Sequence, residues 1–193
     1  MKRIIAILFT MVALVSCRGG FTASECDVIF RGEDEVMQVM SVANSADSLL
    51  LRSQSLPMSA DMVGSEELAT LCRRMLATVS APEHDGVGIA APQVGILRRM
   101  VAVQRFDKEG APFEFFLNPE IIATHGEKQV GGEGCLSVPD RHGKVERFQN
   151  IVLRYRDVEF VEHTETVEGF TAVIFQHEID HLDGVLYIDR EQK

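Results

Sequence analysis

Tryptophan is absent from the 193 residues, and aromatic side chains make up only 7% of them. Cysteine occurs four times, too few and too unevenly placed for the disulfide framework of a small secreted fold. Basic residues are scarce, 19 Lys and Arg against 29 Asp and Glu, and the resulting charge of −10 lacks the positive footprint of a nucleic-acid binder. No uninterrupted apolar run reaches the roughly 18–20 residues that a helix needs to cross a bilayer. No internal repeat is visible. What is present, 46% hydrophobic and 25% charged positions, is the composition of a chain that buries one core.

The first residues do not belong to that core. Met1-Lys2-Arg3 precede the stretch Ile4 to Val15, in which only Thr10 is polar, and Leu14-Val15-Ser16-Cys17 follows. These are the n-region, h-region and cleavage site of an export signal. The last four residues resemble the bacterial lipobox, whose cysteine becomes lipidated and starts the mature chain. Residues 1–17 are therefore expected to be a signal peptide with a lipid anchor at Cys17, which places the protein on the cell envelope. The alternatives are a buried N-terminal strand or short helix, and a cytoplasmic product from an internal start near Met37. Residues 18–36 mix Gly, Ser, Thr and acids with scattered apolar positions and read as a tether, so the domain spans 37–193.

Within the domain, Ser65 followed by Glu66 and Glu67 starts a helix whose apolar residues recur at Leu68, Leu71, Cys72, Met75, Leu76 and Val79, ending before Pro82. Cys72 lies on that stripe and reads as a core residue. The spacing predicts a hairpin from Met100 to Leu117, turning at Asp107-Lys108-Glu109-Gly110, with further strands at Glu120–Ala123, Val145–Phe148 and Ile151–Val158. A second helix fits Glu168–Leu182, with Gly184 as its stop. The predicted class is α+β, antiparallel strands packed around two main helices.

Three segments carry chemistry. His177-Glu178-Ile179-Asp180-His181 sets two imidazoles four residues apart on one helix face, where both can grip a metal ion while Glu178 reaches a water beside it. The pattern alone also fits two core histidines continuing the apolar stripe of Phe170, Val173 and Ile174. A catalytic site needs a third ligand, and only residues 182–193, none of them His, follow, so the donor must lie upstream. Cys135, in the glycine-rich stretch from Gly131 to Pro139, is the candidate, although a β-turn with an inert cysteine would look the same. The third segment, Gly86 to Gly95, lacks the G-x-G-x-x-G spacing and the lysine of a phosphate cradle. It offers backbone for a peptide to pair with and one amide, Gln93, able to donate to an oxyanion.

Together GVGIAAPQVG, EGCLSVP and QHEIDHLDG, in this order, resemble the three signature motifs of the peptide deformylases. LLLRSQSLPM and GVLYIDR are similar to that family's opening and closing strands, and the likeness covers Met37 to Lys193. The resemblance implies a hydrolase of protein biosynthesis that removes the formyl group from N-formylmethionine of nascent chains and releases formate. It implies Fe²⁺, or Zn²⁺, Ni²⁺ or Co²⁺ in its place, held by Cys135, His177 and His181, with Glu178 as general base. Gln93 and the backbone N–H of Leu136 would stabilise the oxyanion. The substrate backbone would pair along Val87-Gly88, and its methionine side chain would enter a pocket of Val87, Phe170, Val173 and Ile174. Arg147 matches a family arginine, with Glu133 as its partner. His84, His125, His142 and His163 match no motif and are expected on the surface. The expected partners are formyl-Met peptides, with no nucleic acid, acting on a monomer. An envelope-anchored peptide-binding module, or a metalloprotease that has kept the fold, is the alternative.

Overall fold

The computed structural model describes residues 20–32 and 35–192, so the leader and its lipobox lie outside the described residues. One antiparallel sheet takes its strands in sequential order: β1 (Gly88–Ala90), β2 (Met100–Gln104), β3 (Phe113–Cys135), β4 (Val138–Arg156) and β5 (Glu162–Glu168). The long helices are α3 (Glu66–Val79) and α4 (Gly169–Leu182), with short α1 (Ala23–Ile29), α2 (Ser45–Leu51) and α5 (Tyr187–Arg190) around them. The expected α+β class, strands about a central helix that carries both histidines, is the architecture observed.

Successive residues of a strand point to opposite faces, and β2 shows what each face packs against. Met100 and Ala102 join Leu68, Leu71, Met75 and Val79 of α3, whereas Val101 and Val103 join Ile174, Phe175, Ile179 and Leu182 of α4. Covered on both sides, the strand reads as a continuous apolar run rather than an alternation. Each Leu, Ile, Val or Phe fully buried in these layers contributes about 1.5–3 kcal/mol, which fixes α4 firmly against the sheet. Ser65 caps α3 as expected, accepting the Leu68 N–H at 3.1 Å. Past the end of α4, Gly184 has a φ of 73° and lies so near Arg52 that a Cβ would come within 2.5 Å of its carbonyl oxygen, so only glycine fits.

Strand boundaries depart from the sequence reading. The turn at Asp107–Gly110 is present, but β3 runs on through Glu120–Ala123 to Cys135, and β4 takes in Val145–Phe148 and the later predicted strand as far as Arg156, two residues short of Val158. Gly131, Gly132 and Gly134 pair with Val145, Lys144 and His142, so long-range hydrogen bonds extend a stretch whose composition signals a turn. β5 is a polar edge strand with little apolar pattern to announce it. LLLRSQSLPM forms the end of α2 and a single bridge from Leu56 to Arg98, and GVLYIDR forms α5; neither is a strand beyond that bridge.

The described part of residues 18–36 is not a free tether. Thr22 and Glu25 form a capping box on α1, and Phe21, Cys26 and Ile29 enter the core under α3. Arg98 forks onto both carboxylate oxygens of Glu25 at 2.5 and 3.0 Å, and Arg74 donates to the Ile29 carbonyl at 2.7 Å. Cys26 and Ile29, three residues apart, share one face of a helix too short for its pattern to stand out from a polar linker.

Candidate active site

A cleft of about 600 Å³ opens between β1, the β3–β4 turn and α4. That volume suits a small ligand or a short peptide segment. Cys135 closes β3 at the tight turn Leu136–Ser137, and His177 and His181 rise from α4 one helical turn apart, ring centroids 5.1 Å from each other. Cys135 Sγ lies 3.2 Å from His181 Nε2, and the donor atoms of Cys135, His177 and His181 fall within 4.8 Å of one another. Ligands bound to one tetrahedral ion at 2.0–2.3 Å sit roughly 3.5 Å apart. The three side chains can therefore share an ion.

Their surroundings orient them. His177 Nδ1 donates to Glu133 Oε2 at 2.8 Å, which makes Nε2 the ring's ligating nitrogen. Arg147 holds Glu133 through Nε and Nη2 at 2.8 and 3.1 Å. Burial pushes the Glu133 carboxyl up, but hydrogen bonds from His177 and Arg147 outweigh it and bring it down to about 2. Burial likewise pulls the His177 ring down, and hydrogen bonds to Cys135 and Glu133 carry it up to about 10. Burial, helped by the positive charges of His177, Arg147 and Arg52, drives His181 well below the usual imidazole value. A thiol, an imidazole with high proton affinity and an imidazole that stays neutral form a site in which a cation competes with protons for the lone pairs.

Glu178 stands beside them, 4% exposed, and burial pushes its carboxyl up to about 7. Its Oε1 lies so near the backbone of Gly88 that a Cβ there would come within 2.6 Å, a close approach that requires glycine. Among the described residues its Oε2 is a buried oxygen with no hydrogen-bond partner, a position that suits a water molecule or a substrate group. Gln93 is fixed by the Ala90 N–H, which donates to its Oε1 at 2.9 Å. Its amide nitrogen is thereby turned toward Cys135 Sγ at 3.5 Å and Ser137 Oγ at 3.4 Å.

Every other residue singled out for substrate contact borders the cleft: Val87 and Gly88 on one wall, Leu136 at the turn, and Phe170, Val173 and Ile174 along α4. Phe170 is 55% exposed and forms the rim rather than the floor. Two readings change. His84 is half-buried, with Nδ1 2.6 Å from the Thr78 carbonyl, and borders the cleft, whereas His125, His142 and His163 are exposed, His142 at the edge of the same cleft. Asp180, within the histidine motif, was missed altogether: it receives Arg147 Nη1 at 2.5 Å. A charged residue on a helix that is otherwise buried was the available signal.

A family model described as polypeptide deformylase matches residues 39–193. The chain is 40% identical over 162 residues to the peptide deformylase of Leptospira biflexa, covering 80% of this chain and 87% of that one. It is 45% identical over 126 residues to peptide deformylase 1 of Clostridium perfringens, covering 65% and 82%. Among solved structures it is similar to an actinonin-bound class I type b peptide deformylase from Acinetobacter baumannii, with TM-score 0.72, 36% identity and coverage of 81% and 99%. The peptide deformylase from Thermotoga maritima is similar too, with TM-score 0.71, 34% identity and coverage of 82% and 99%.

Proposed function

The chain belongs to the polypeptide deformylase family and is a metal-dependent hydrolase that removes formyl groups from peptides, and from that premise we propose how its residues divide the work. Cys135, His177 and His181 hold the ion. A thiolate with two imidazoles suits Fe²⁺, Zn²⁺, Ni²⁺ or Co²⁺ and not the oxygen-seeking Mg²⁺ or Ca²⁺, and we assign Fe²⁺ as the native metal. Such an ion supplies Lewis acidity, making water a nucleophile near neutral pH.

The remaining steps fall to the protein. Glu178 Oε2 takes the water proton as the oxygen adds to the formyl carbon, and returns it to the leaving amine as the C–N bond breaks. Formate and a free N-terminus result. A carboxyl held near 7 by burial is matched to taking and giving up a proton at neutral pH. Gln93 Nε2 and the Leu136 N–H donate to the formyl oxygen as charge gathers on it, donors worth about 2.7–4 kcal/mol each. A formyl-Met chain pairs its backbone with Val87-Gly88 and places its thioether among Val87, Val173 and Ile174, with Phe170 at the mouth. The observation that carries this reading is the convergence of three ligand atoms beside a buried carboxylate oxygen that no group among the described residues satisfies.

One equivalent of Co²⁺ added to the purified protein should produce a thiolate-to-metal absorption band and formate release from formyl-Met-Ala-Ser. Both should vanish in Cys135→Ala. A loaded Cys135→Ala variant with wild-type turnover would remove the sulfur from the ligand set.

At the other end of the chain, Leu14-Val15-Ser16-Cys17 supports an envelope protein anchored by lipid at Cys17. Mass spectrometry of the native protein should find a lipidated Cys17 as its first residue. An unmodified N-terminus at Met37 would sink the anchor.

A further inference from the structure

Asp180 lies outside the cleft, 8% exposed, and the charges around it alternate. It accepts Arg147 Nη1 at 2.5 Å on one side and Arg190 on the other, through two hydrogen bonds of 2.6 and 2.7 Å. Arg147 gives its opposite edge, Nε and Nη2, to Glu133. A guanidinium is a rigid plane, so the two carboxylates cannot move independently. Glu133 precedes Cys135 on β3 and accepts from His177, while Asp180 sits on α4 between the two histidines. The contacts thus close a ring, from α4 through Asp180, Arg147 and Glu133 back to His177. That ring ties the strand bearing the sulfur to the helix bearing the imidazoles.

Inside the ring two carboxylates share one guanidinium. Arg190 brings the second positive charge, and it comes from α5, the helical turn that also lays Tyr187 against His177, ring centroids 6.1 Å apart and planes 20° from parallel. α5 is itself seated: Tyr187 donates its hydroxyl to the Arg141 carbonyl at 2.8 Å, and Glu191 bridges to Val145 on β4.

We propose that Arg190 is a positioning residue for the metal centre: by neutralising Asp180 it keeps Arg147 on Glu133, and so holds the His177 ring in its ligating orientation. The proposal rests on Cys135, His177 and His181 binding a divalent ion. Without Arg190, Asp180 has only Arg147 among the described residues to balance it. The guanidinium is then drawn off Glu133, and the hydrogen bond that orients His177 loosens.

The test uses the cobalt-loaded full chain and the variants Arg190→Gln, Arg190→Lys, Glu133→Gln and the double variant Arg190→Gln/Glu133→Gln. The Arg190 side chain is 48% exposed and Asp180 keeps Arg147 as a buried partner, so melting temperature should fall far less in Arg190→Gln than in Glu133→Gln. Loss of cobalt to excess chelator should nevertheless be about tenfold faster, the lower end of the effect of partners behind metal ligands. Arg190→Lys should recover part of it, and the double variant should release metal no faster than Glu133→Gln, because the two act in series. Release from Arg190→Gln at the wild-type rate, or additive effects in the double variant, would overturn the proposal. Wild-type protein that takes up no cobalt would instead sink the ligand assignment, and this inference with it.

Discussion

Replacing Glu178 by glutamine is expected to lower kcat on a formyl-Met peptide by roughly 10²–10⁴-fold, the usual contribution of a positioned general acid–base. Metal content and KM should stay near wild type. In free-energy terms the loss is about 3–5 kcal/mol of transition-state stabilisation, at about 1.4 kcal/mol per tenfold. Glutamine is the informative substitute because the side chain is 4% exposed and packs against the Gly88 backbone, so a smaller residue would open a cavity and blur the result. An amide keeps the shape and cannot take the proton. Steady-state kinetics on protein shown to hold one ion per chain decide the matter: a fall of less than tenfold would give the proton transfer to another group.

A chain that starts at Met37 is expected to be severely destabilised, although it retains every residue of the candidate site. It lacks Phe21, Cys26 and Ile29, which complete the core under α3. It also lacks Glu25, onto which Arg98 forks with its side chain only 10% exposed. Removing one partner of a buried pair costs about 3–5 kcal/mol, before the lost apolar contacts are counted. The new terminus adds a further cost: the Met37 N–H donates to Thr78 Oγ1 at 2.8 Å in a buried setting, and a charged amine would have to be accommodated there. With 2–4 °C per kcal/mol typical at this size, thermal melting should fall by more than about 10 °C against a chain starting at residue 20. Equal melting temperatures would show that α1 only rests on the domain. The same measurement bears on where translation starts, since an internal start at Met37 would produce the weakened protein.

The reach of each interaction along the chain separates what could be read in advance from what could not. Both long helices were legible because their signals are local: Ser65 caps its own helix within three residues, and His177 and His181 share a face because a helix turns every 3.6 residues. The candidate site was legible for a related reason, since each motif presents its chemistry within a few positions. The continuity of β3 and β4 was not, because glycines 131, 132 and 134 are held extended by partners on another strand.

Residue types and spacing by themselves determined the chemistry on offer: a sulfur, two imidazoles, a carboxylate and an amide, with the family that uses them. Only the tertiary structure decided that α1 belongs to the core, that His84 borders the cleft, and that Arg190 reaches the ring of charges behind His177. Those outcomes rest on pairs such as Arg98 with Glu25 and Arg147 with Glu133, whose members are brought together by the packing of sheet against helix. Charge and distance in space set their strength, and neither is written in the order of residues along a chain.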